Sequence, residues 1–442
     1  MHSRNKNFIK QIKASFIFRL MAMLISFVLV RYMLEYLGTE LYGVWSVILS
    51  LMTWILFFDL GISNGVKNKV STALATDKEE EARAYISTGY VILTLFSVFV
   101  FVIFYGISFY LNWQSIFNIY SISNTQLGSV LRIVLFFILF NFVLSIITAI
   151  FNAVQQASLV VFNQFLSNVF SLIMIILLLQ FTETNLYYLA FAYGAVLVFS
   201  NMILSLWFYR KNPSLSPKLS YFHKDKVKSI SKLGMNFFFL QLTIFFILTT
   251  DRFIITQLLG PSVVTNYDIL YKYFGSILII HGIVNSPLWS MYTEAYSKND
   301  YEWIEKTLKK MVFLWGGYIG ILMIMILLAD IIIRIWLNND KLIFTLSNYI
   351  YMGLLVLSIA WHNIFAYFTN GIEKTKTQLY ATVVGAIINI PLSIIFIKYL
   401  DMGLNGVLLA TIMSLAVFNI LGPIQALKEV NSMQKNIGRE QK

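Results

Sequence analysis

The sequence predicts an all-α polytopic membrane protein with twelve transmembrane helices. Three observations predict this. Of the 442 residues, 58% are hydrophobic and only 12% are charged, whereas a soluble domain carries about 25% charged residues. Long apolar stretches recur from one end of the chain to the other, and a hydrocarbon core of about 30 Å needs about 20 such residues as a helix. The runs are continuous rather than alternating, which excludes a closed β-barrel. Helices are then what satisfies the backbone groups in lipid.

The first span, 14–36, follows the basic stretch MHSRNKNFIKQIK. That start is like a signal peptide, but the apolar run is too long and lacks a small-residue cleavage site. It reads as the cytoplasmic tail of a membrane helix. The second span, 41–64, follows Leu37-Gly38 and ends in GISN (Gly61 to Asn64). A polar segment, STALATDKEEEAR, leads to the third span, 84–111. An outer loop, 112–125, has no charged residue and leads to 126–153. Asn141, Asn152, Gln155, Gln156, Asn163 and Gln164 surround the junction with 159–181. Hydrogen bonding between helices is the first reading of these amides, and contact with a polar ligand is the second. The span 186–209 completes the first six.

A linker over 210–233 carries Pro213, Pro217 and seven Lys or Arg. It divides the chain into an N-terminal lobe (1–209) and a C-terminal lobe (234–442) with a short cytoplasmic tail. The second six spans are 234–259, 265–290, 311–336, 342–369, 377–399 and 405–426. Pro287 and Pro391 fall in or near spans and can kink them. The two halves also look alike. Leu37-Gly38 is followed seven residues past the glycine by Trp45, and Leu259-Gly260 by Tyr267 at the same distance. GISN in the first half has a counterpart, GIVN (Gly282 to Asn285), in the second. Two landmarks at nearly one offset point to a parallel six-plus-six repeat, related by an axis along the membrane normal.

Orientation follows from Lys and Arg. With the N-terminus inside, 25 of the 33 fall on inner segments, so both termini are expected to be cytoplasmic. The net charge of +12 reads as basic loops beside anionic lipid rather than as a nucleic-acid surface. There is no cysteine, so no disulfide, thiolate nucleophile or Cys-ligated metal is available. No GxxxxGK[ST] loop appears, which argues against direct ATP use. No catalytic carboxylate pair or nucleophile elbow stands out, and the chain reads as a non-enzyme. His281 and His362 are isolated and suggest no metal site. The aromatic content of 16% reads mostly as lipid-facing Phe and interfacial Trp and Tyr.

The run from Tyr36 to Lys69 carries LG (Leu37, Gly38), YGVW (Tyr42 to Trp45) and DLGISNG (Asp59 to Gly65), then a basic-acidic amphipathic loop. It resembles the start of the bacterial polysaccharide-export (O-antigen type) flippases. These belong to the superfamily that also contains multidrug exporters and the lipid II flippase. The resemblance is specific over about 60 residues and beyond that rests on span number, short outer loops and the basic linker. It implies two six-helix lobes around a central cavity that opens alternately to each side of the bacterial cytoplasmic (inner) membrane. It implies a substrate, a short glycan on a polyprenyl diphosphate, carried from the inner to the outer leaflet. Membrane lipids and the polysaccharide polymerase and chain-length machinery are the further partners it suggests. No cofactor is expected beyond a coupling H⁺ or Na⁺.

Such a substrate needs cations for its phosphates inside the bundle. Ionisable residues at a helix centre cost about 2.5–3.5 kcal/mol on insertion scales and so require a reason. Arg19 lies about 9 Å along the first helix from Lys13, and Asp59 sits at similar depth on the second. Arg19 is expected to meet the diphosphate, with Asp59 tuning or releasing it. The bland alternative is a structural ion pair, or a turn held by Asp59 around Gly61. In the second lobe Asp251, Arg252, Asp268 and Lys272 gather at one depth on two adjacent helices, and Asp268 and Lys272 are spaced to touch (i, i+4). Arg252 and Lys272 read as substrate-binding cations, and Asp251 and Asp268 as cavity carboxylates for ion coupling. A self-neutralising network that staples the lobe is the alternative. Two rivals to the flippase remain. One is a cation-coupled exporter of drugs or metabolites on the same fold. The other is a membrane glycosyltransferase or polymerase, which the charge-free outer loop disfavours.

Overall fold

A single glycine bends the first helix. The computed structural model describes residues 2–57, 62–154, 156–230, 250–297, 299–338, 342–372 and 374–440, and every regular element among them is helical. Helix α1 (His2–Phe57) contains the first expected span and most of the second, joined at Gly38 with φ 69° and ψ 177°. That backbone position favours glycine, because a Cβ would strain it. The second unit repeats the device. Gly260, at φ 92°, ends the helical run 250–259, and its N–H reaches back to the carbonyls of Ile255 and Thr256, a helix-closing pattern. The second landmark differs between the halves. GISN lies where α2 (Ile62–Ala75) begins, whereas GIVN lies inside the continuous helix α9 (Pro261–Ser297).

Between these come α3 (Glu79–Ile107), α4 (Trp113–Phe117), α5 (Asn124–Leu144), α6 (Ile146–Ala153), α7 (Ala157–Phe181) and α8 (Leu186–Lys211). After α9 come α10 (Tyr301–Leu337), α11 (Leu346–Gly371), α12 (Lys376–Lys398) and α13 (Leu404–Glu440). Nine helical segments among the described residues are long and apolar enough to cross a membrane. Of the expected span 234–259, only 250–259 lies within the described residues. The chain divides into two compact units, Met1–Leu242 and Thr243–Lys442.

Local chemistry sets the helix ends. Glu79, Glu80 and Glu81 occupy the first turn of α3, where the helix dipole favours carboxylates. Thr345 and Asn348 form a capping box at the start of α11, satisfying two backbone donors that would otherwise be orphaned. Helix surfaces report their solvent. On α3 Leu95, Phe99 and Val102 are exposed, and on α10 Ile324, Leu327, Ile331 and Ile335 are exposed. These are apolar stripes at helical spacing, which water would not tolerate over such lengths and lipid does.

In the first unit, the polar segment expected to be a loop is partly helical. Helix α2 buries Ile62, Val66, Val70 and Ala73, one face at helical spacing, against Ile86, Ile146 and Ile150. Residues 213–230 form a strap on the same end. Leu215 and Ile230 are buried in that core. Arg83 donates from Nε to the Ser216 carbonyl (2.7 Å) and stacks on Tyr221. Lys226 lies 3.5 Å from Glu81 and over the Tyr85 ring. The approach is close: a Cβ built on Gly65 would stand 2.5 Å from the Ile230 carbonyl oxygen. The second unit has its core around Tyr292, Ile304, Ile364, Phe368 and Phe418. There the Trp315 and Trp361 rings meet at 4.7 Å, and their N–H groups donate to the carbonyls of Leu357 and Asn419.

Gly65→Ala therefore forces the strap away from α2. Overpacking of this kind costs about 1–3 kcal/mol, and the apparent Tm of the purified protein should fall by several degrees. An unchanged Tm would refute the close contact.

Candidate functional site

The buried polar groups of the two units differ in kind. In the first unit those among the described residues are neutral. Asn163 donates to Asn201 (2.8 Å), and Asn201 donates to Asn141 (2.7 Å), a chain of amides across α7, α8 and α5. Ser167 and Ser200 meet at 2.7 Å beside it. Asn168 donates to the Ala22 carbonyl of α1. Asn141 and Asn163 thus join helices, which is the first of the two readings made for them. Asn152 is exposed and donates to the Thr148 carbonyl within α6.

Arg19 sits on α1 between Phe18, whose ring packs on Phe162 and Phe165 of α7, and Ala22. Its side chain is exposed and forms no ion pair among the described residues. Asp59, its expected partner, lies outside the described residues.

In the second unit the buried polar groups include a carboxylate, with an ion pair beside it. Asp251 is 1% exposed, on the run 250–259. Its carboxylate oxygens lie 3.0 and 3.1 Å from the Thr411 hydroxyl of α13, and Tyr267 of α9 donates to Oδ2 at 3.2 Å. Asn389 of α12 donates to Thr411 (3.1 Å), and Thr250 donates to Asn389 Oδ1 (3.4 Å). A buried carboxylate must be hydrogen-bonded to persist. Here the hydroxyls of Thr411 and Tyr267 supply that, with Asn389 and Thr250 behind Thr411.

Next to it, Arg252 donates from Nε to Asp268 Oδ1 at 2.8 Å, with side chains 23% and 9% exposed. Its guanidinium also lies 5.4 Å from the Tyr267 ring centroid. The ion pair engages Nε, which leaves both Nη groups as donors. Lys272 lies half-buried on α9, one turn beyond Asp268. All four charged residues singled out in this unit therefore lie on two consecutive segments, and three of them contact Tyr267 or each other. The Arg252–Asp268 pair is of the kind the self-neutralising network reading allows, although the sequence spacing singles out Lys272 as the residue able to touch Asp268. Sequence reasoning missed Tyr267 and Thr411 as Asp251 partners, and Asn389 and Thr250 as the network behind them. Tyr267 stood out only as a repeat landmark, and a Thr or Asn within an apolar span carries no signal of its own. Among the described residues no group of three or more His, Cys, Asp or Glu could hold a metal ion.

The sequence profile described as "Polysaccharide biosynthesis protein" matches residues 8–292, and the MatE profile matches residues 237–395. A Yersinia pseudotuberculosis protein named for O-antigen export is 24% identical over 412 residues, covering 90% of this chain and 91% of its own. A Salmonella typhimurium protein named for O-antigen transport is 22% identical over 408 residues, covering 91% and 92%. Among solved structures, an inward-facing multidrug resistance MATE family transporter of the MOP superfamily superimposes with a TM-score of 0.75. It is 15% identical and covers 96% of this chain and 99% of its own. A MOP superfamily transporter from Pyrococcus furiosus does so with a TM-score of 0.67 at 12% identity, covering 97% and 96%. These likenesses establish the fold as that of the MATE transporters. The first profile spans well over half of the sequence, and the chain belongs to the polysaccharide biosynthesis protein family of multi-pass membrane transporters.

Proposed function

We propose that this protein is a flippase for a polyprenyl-diphosphate-linked oligosaccharide, the unit of an O-antigen or other surface polysaccharide. It moves that substrate from the inner to the outer leaflet of the bacterial cytoplasmic membrane by alternating access, with both termini cytoplasmic. Polysaccharide polymerase and chain-length machinery would receive the product. The names of the relatives that span the whole chain agree with this reading. The observation that carries it is the guanidinium of Arg252, fixed through Nε while its Nη groups remain as donors. Planar paired donors suit a phosphate better than a lysine ammonium does. Arg19, exposed on α1, would supply a second cation and Lys272 a third. Asp268 then both holds Arg252 in place and competes for it, so release of substrate needs no new group. Asp251, with Thr411 and Asn389 around it, is the candidate coupling site for H⁺ or Na⁺.

A second reading, a cation-coupled exporter of drugs or metabolites, draws on the MatE match over 237–395. It predicts drug resistance on expression in an efflux-deficient strain, whereas the flippase reading predicts none.

Arg19→Ala and Arg252→Ala should each abolish surface glycan in complementation of a flippase-null strain, with membrane levels unchanged on a blot. The lysine variants should restore only part. A double variant separates binding from stapling. If Arg252 only neutralises Asp268, breaking the pair leaves a buried charge worth about 3–5 kcal/mol, and Arg252→Ala with Asp268→Ala would recover activity. We expect the double variant to stay inactive.

Coupling is tested in vesicles with the proton or the sodium gradient collapsed in turn. Transport by the native chain should fall at least tenfold with one of them. Asp251→Asn should transport slowly and lose that dependence. Equal rates in all conditions would sink the coupling assignment.

The absence of cysteine allows a direct test of orientation. A membrane-impermeant maleimide should label Asn118→Cys in intact cells, and Lys374→Cys only after permeabilisation. The reverse pattern would overturn the topology.

A further inference from the structure

A cavity of about 200 Å³ lies within the second unit, between α9, α11, α12 and α13. None of its lining residues among those described is charged. Lys374, beside it on the α11–α12 connection, is held by Glu429. The described lining therefore offers no cation for a phosphate and no carboxylate for an organic cation. What it offers is an aromatic corner and neutral hydrogen-bonding groups. Trp289, 46% exposed, meets Tyr367 edge to face at 6.0 Å. Asn363 and Asn370 line the same space.

Two further groups there are buried and incompletely bonded. His362 is 7% exposed, and its Nδ1 is enclosed with no hydrogen-bond partner. Gln378 is 6% exposed and accepts from Thr369 through Oε1 (3.2 Å), which leaves its amide NH₂ as a donor. Unsatisfied buried polar groups call for a ligand or water to complete them. The volume is below the roughly 300–1,000 Å³ of drug-sized sites and fits a single ring.

We propose that this cavity seats one neutral pyranose ring of the glycan. An apolar sugar face would rest on Trp289, and the hydroxyls would meet Asn363, Asn370, Gln378 and His362. Asn370 and Gln378 flank the stretch that carries Lys374 and Lys376, so on the orientation proposed above the seat lies on the loading side. The inference rests on the flippase reading for its physiological meaning, while the binding chemistry stands apart from it. The diphosphate and its first sugar would then be recognised by separate groups, cations for one and a charge-free pocket for the other.

Saturation-transfer NMR on the full chain in lipid nanodiscs tests this, with empty nanodiscs as the blank. The probes are the methyl glycosides of glucose, galactose, rhamnose and N-acetylglucosamine. At least one should receive saturation at its ring protons. Trp289→Ala should lower that signal at least fivefold, and surface glycan in the complemented strain should fall by a similar factor. Trp289→Phe, which keeps an aromatic face and guards against misfolding, should retain more than half of both.

Absence of transfer to all four glycosides, or transfer unchanged in Trp289→Ala, overturns the sugar seat. So does saturation of tetraphenylphosphonium alone that depends on Trp289, which would assign the cavity to organic cations. A native chain that restores surface glycan but binds no glycoside sinks the seat and leaves the flippase standing. Glycoside binding that depends on Trp289, in a chain that restores no glycan, supports the seat and sinks the flippase.

Discussion

Asp251 imposes the requirement around which the second unit is organised. A lone carboxylate taken from water into a medium of low dielectric is destabilised by far more than a folded protein can supply. It must be met by donors at hydrogen-bonding distance, on every side that water has left. Thr411 and Tyr267 do this directly, and Asn389 and Thr250 extend the network behind them. Because these residues come from the run 250–259, α9, α12 and α13, one carboxylate specifies the register of four helical segments at once. A slip of any of them by one residue would remove a partner and leave a buried charge exposed to hydrocarbon.

The two units answer the same problem with different chemistry. The amides Asn141, Asn163 and Asn201 cross-link three helices without any charge. Such neutral contacts between membrane helices are individually modest, of the order of 0.6 kcal/mol, and place no field in their surroundings. The ionic cluster around Arg252 and Asp268 does place one. Among the described residues the buried polar links are thus amides and hydroxyls in the first unit and include a carboxylate and an ion pair in the second.

The sequence made the membrane class, the approximate span positions and the first repeat landmark legible, because each depends on local properties. Apolar run length needs no partner, and Leu-Gly before a helix needs only the turn it makes. Arg252, Asp268 and Lys272 could be grouped because two consecutive helices with a tight connection must be neighbours. Thr411 and Asn389 could not. They approach Asp251 from 160 and 138 residues away in sequence, and no pattern along the chain encodes that. The polar segment after the second span was legible as amphipathic but not as helix α2. Its buried face packs on α3 and α6 and has little hydrophobic excess by itself. The cavity beside Trp289 was invisible for the same reason, since Trp289, the polar groups of α11 and Gln378 come together only in the folded unit.

The strap formed by residues 213–230 changes what the joint between the halves can be. Its prolines and many cations suggest a loose spacer, yet Leu215 and Ile230 are core residues and Arg83 holds it along its length. A chain divided for co-expression of its halves should therefore be cut after this segment, not before it. Cut earlier, the first half would bare a greasy seam along α2 and α3 and invite aggregation.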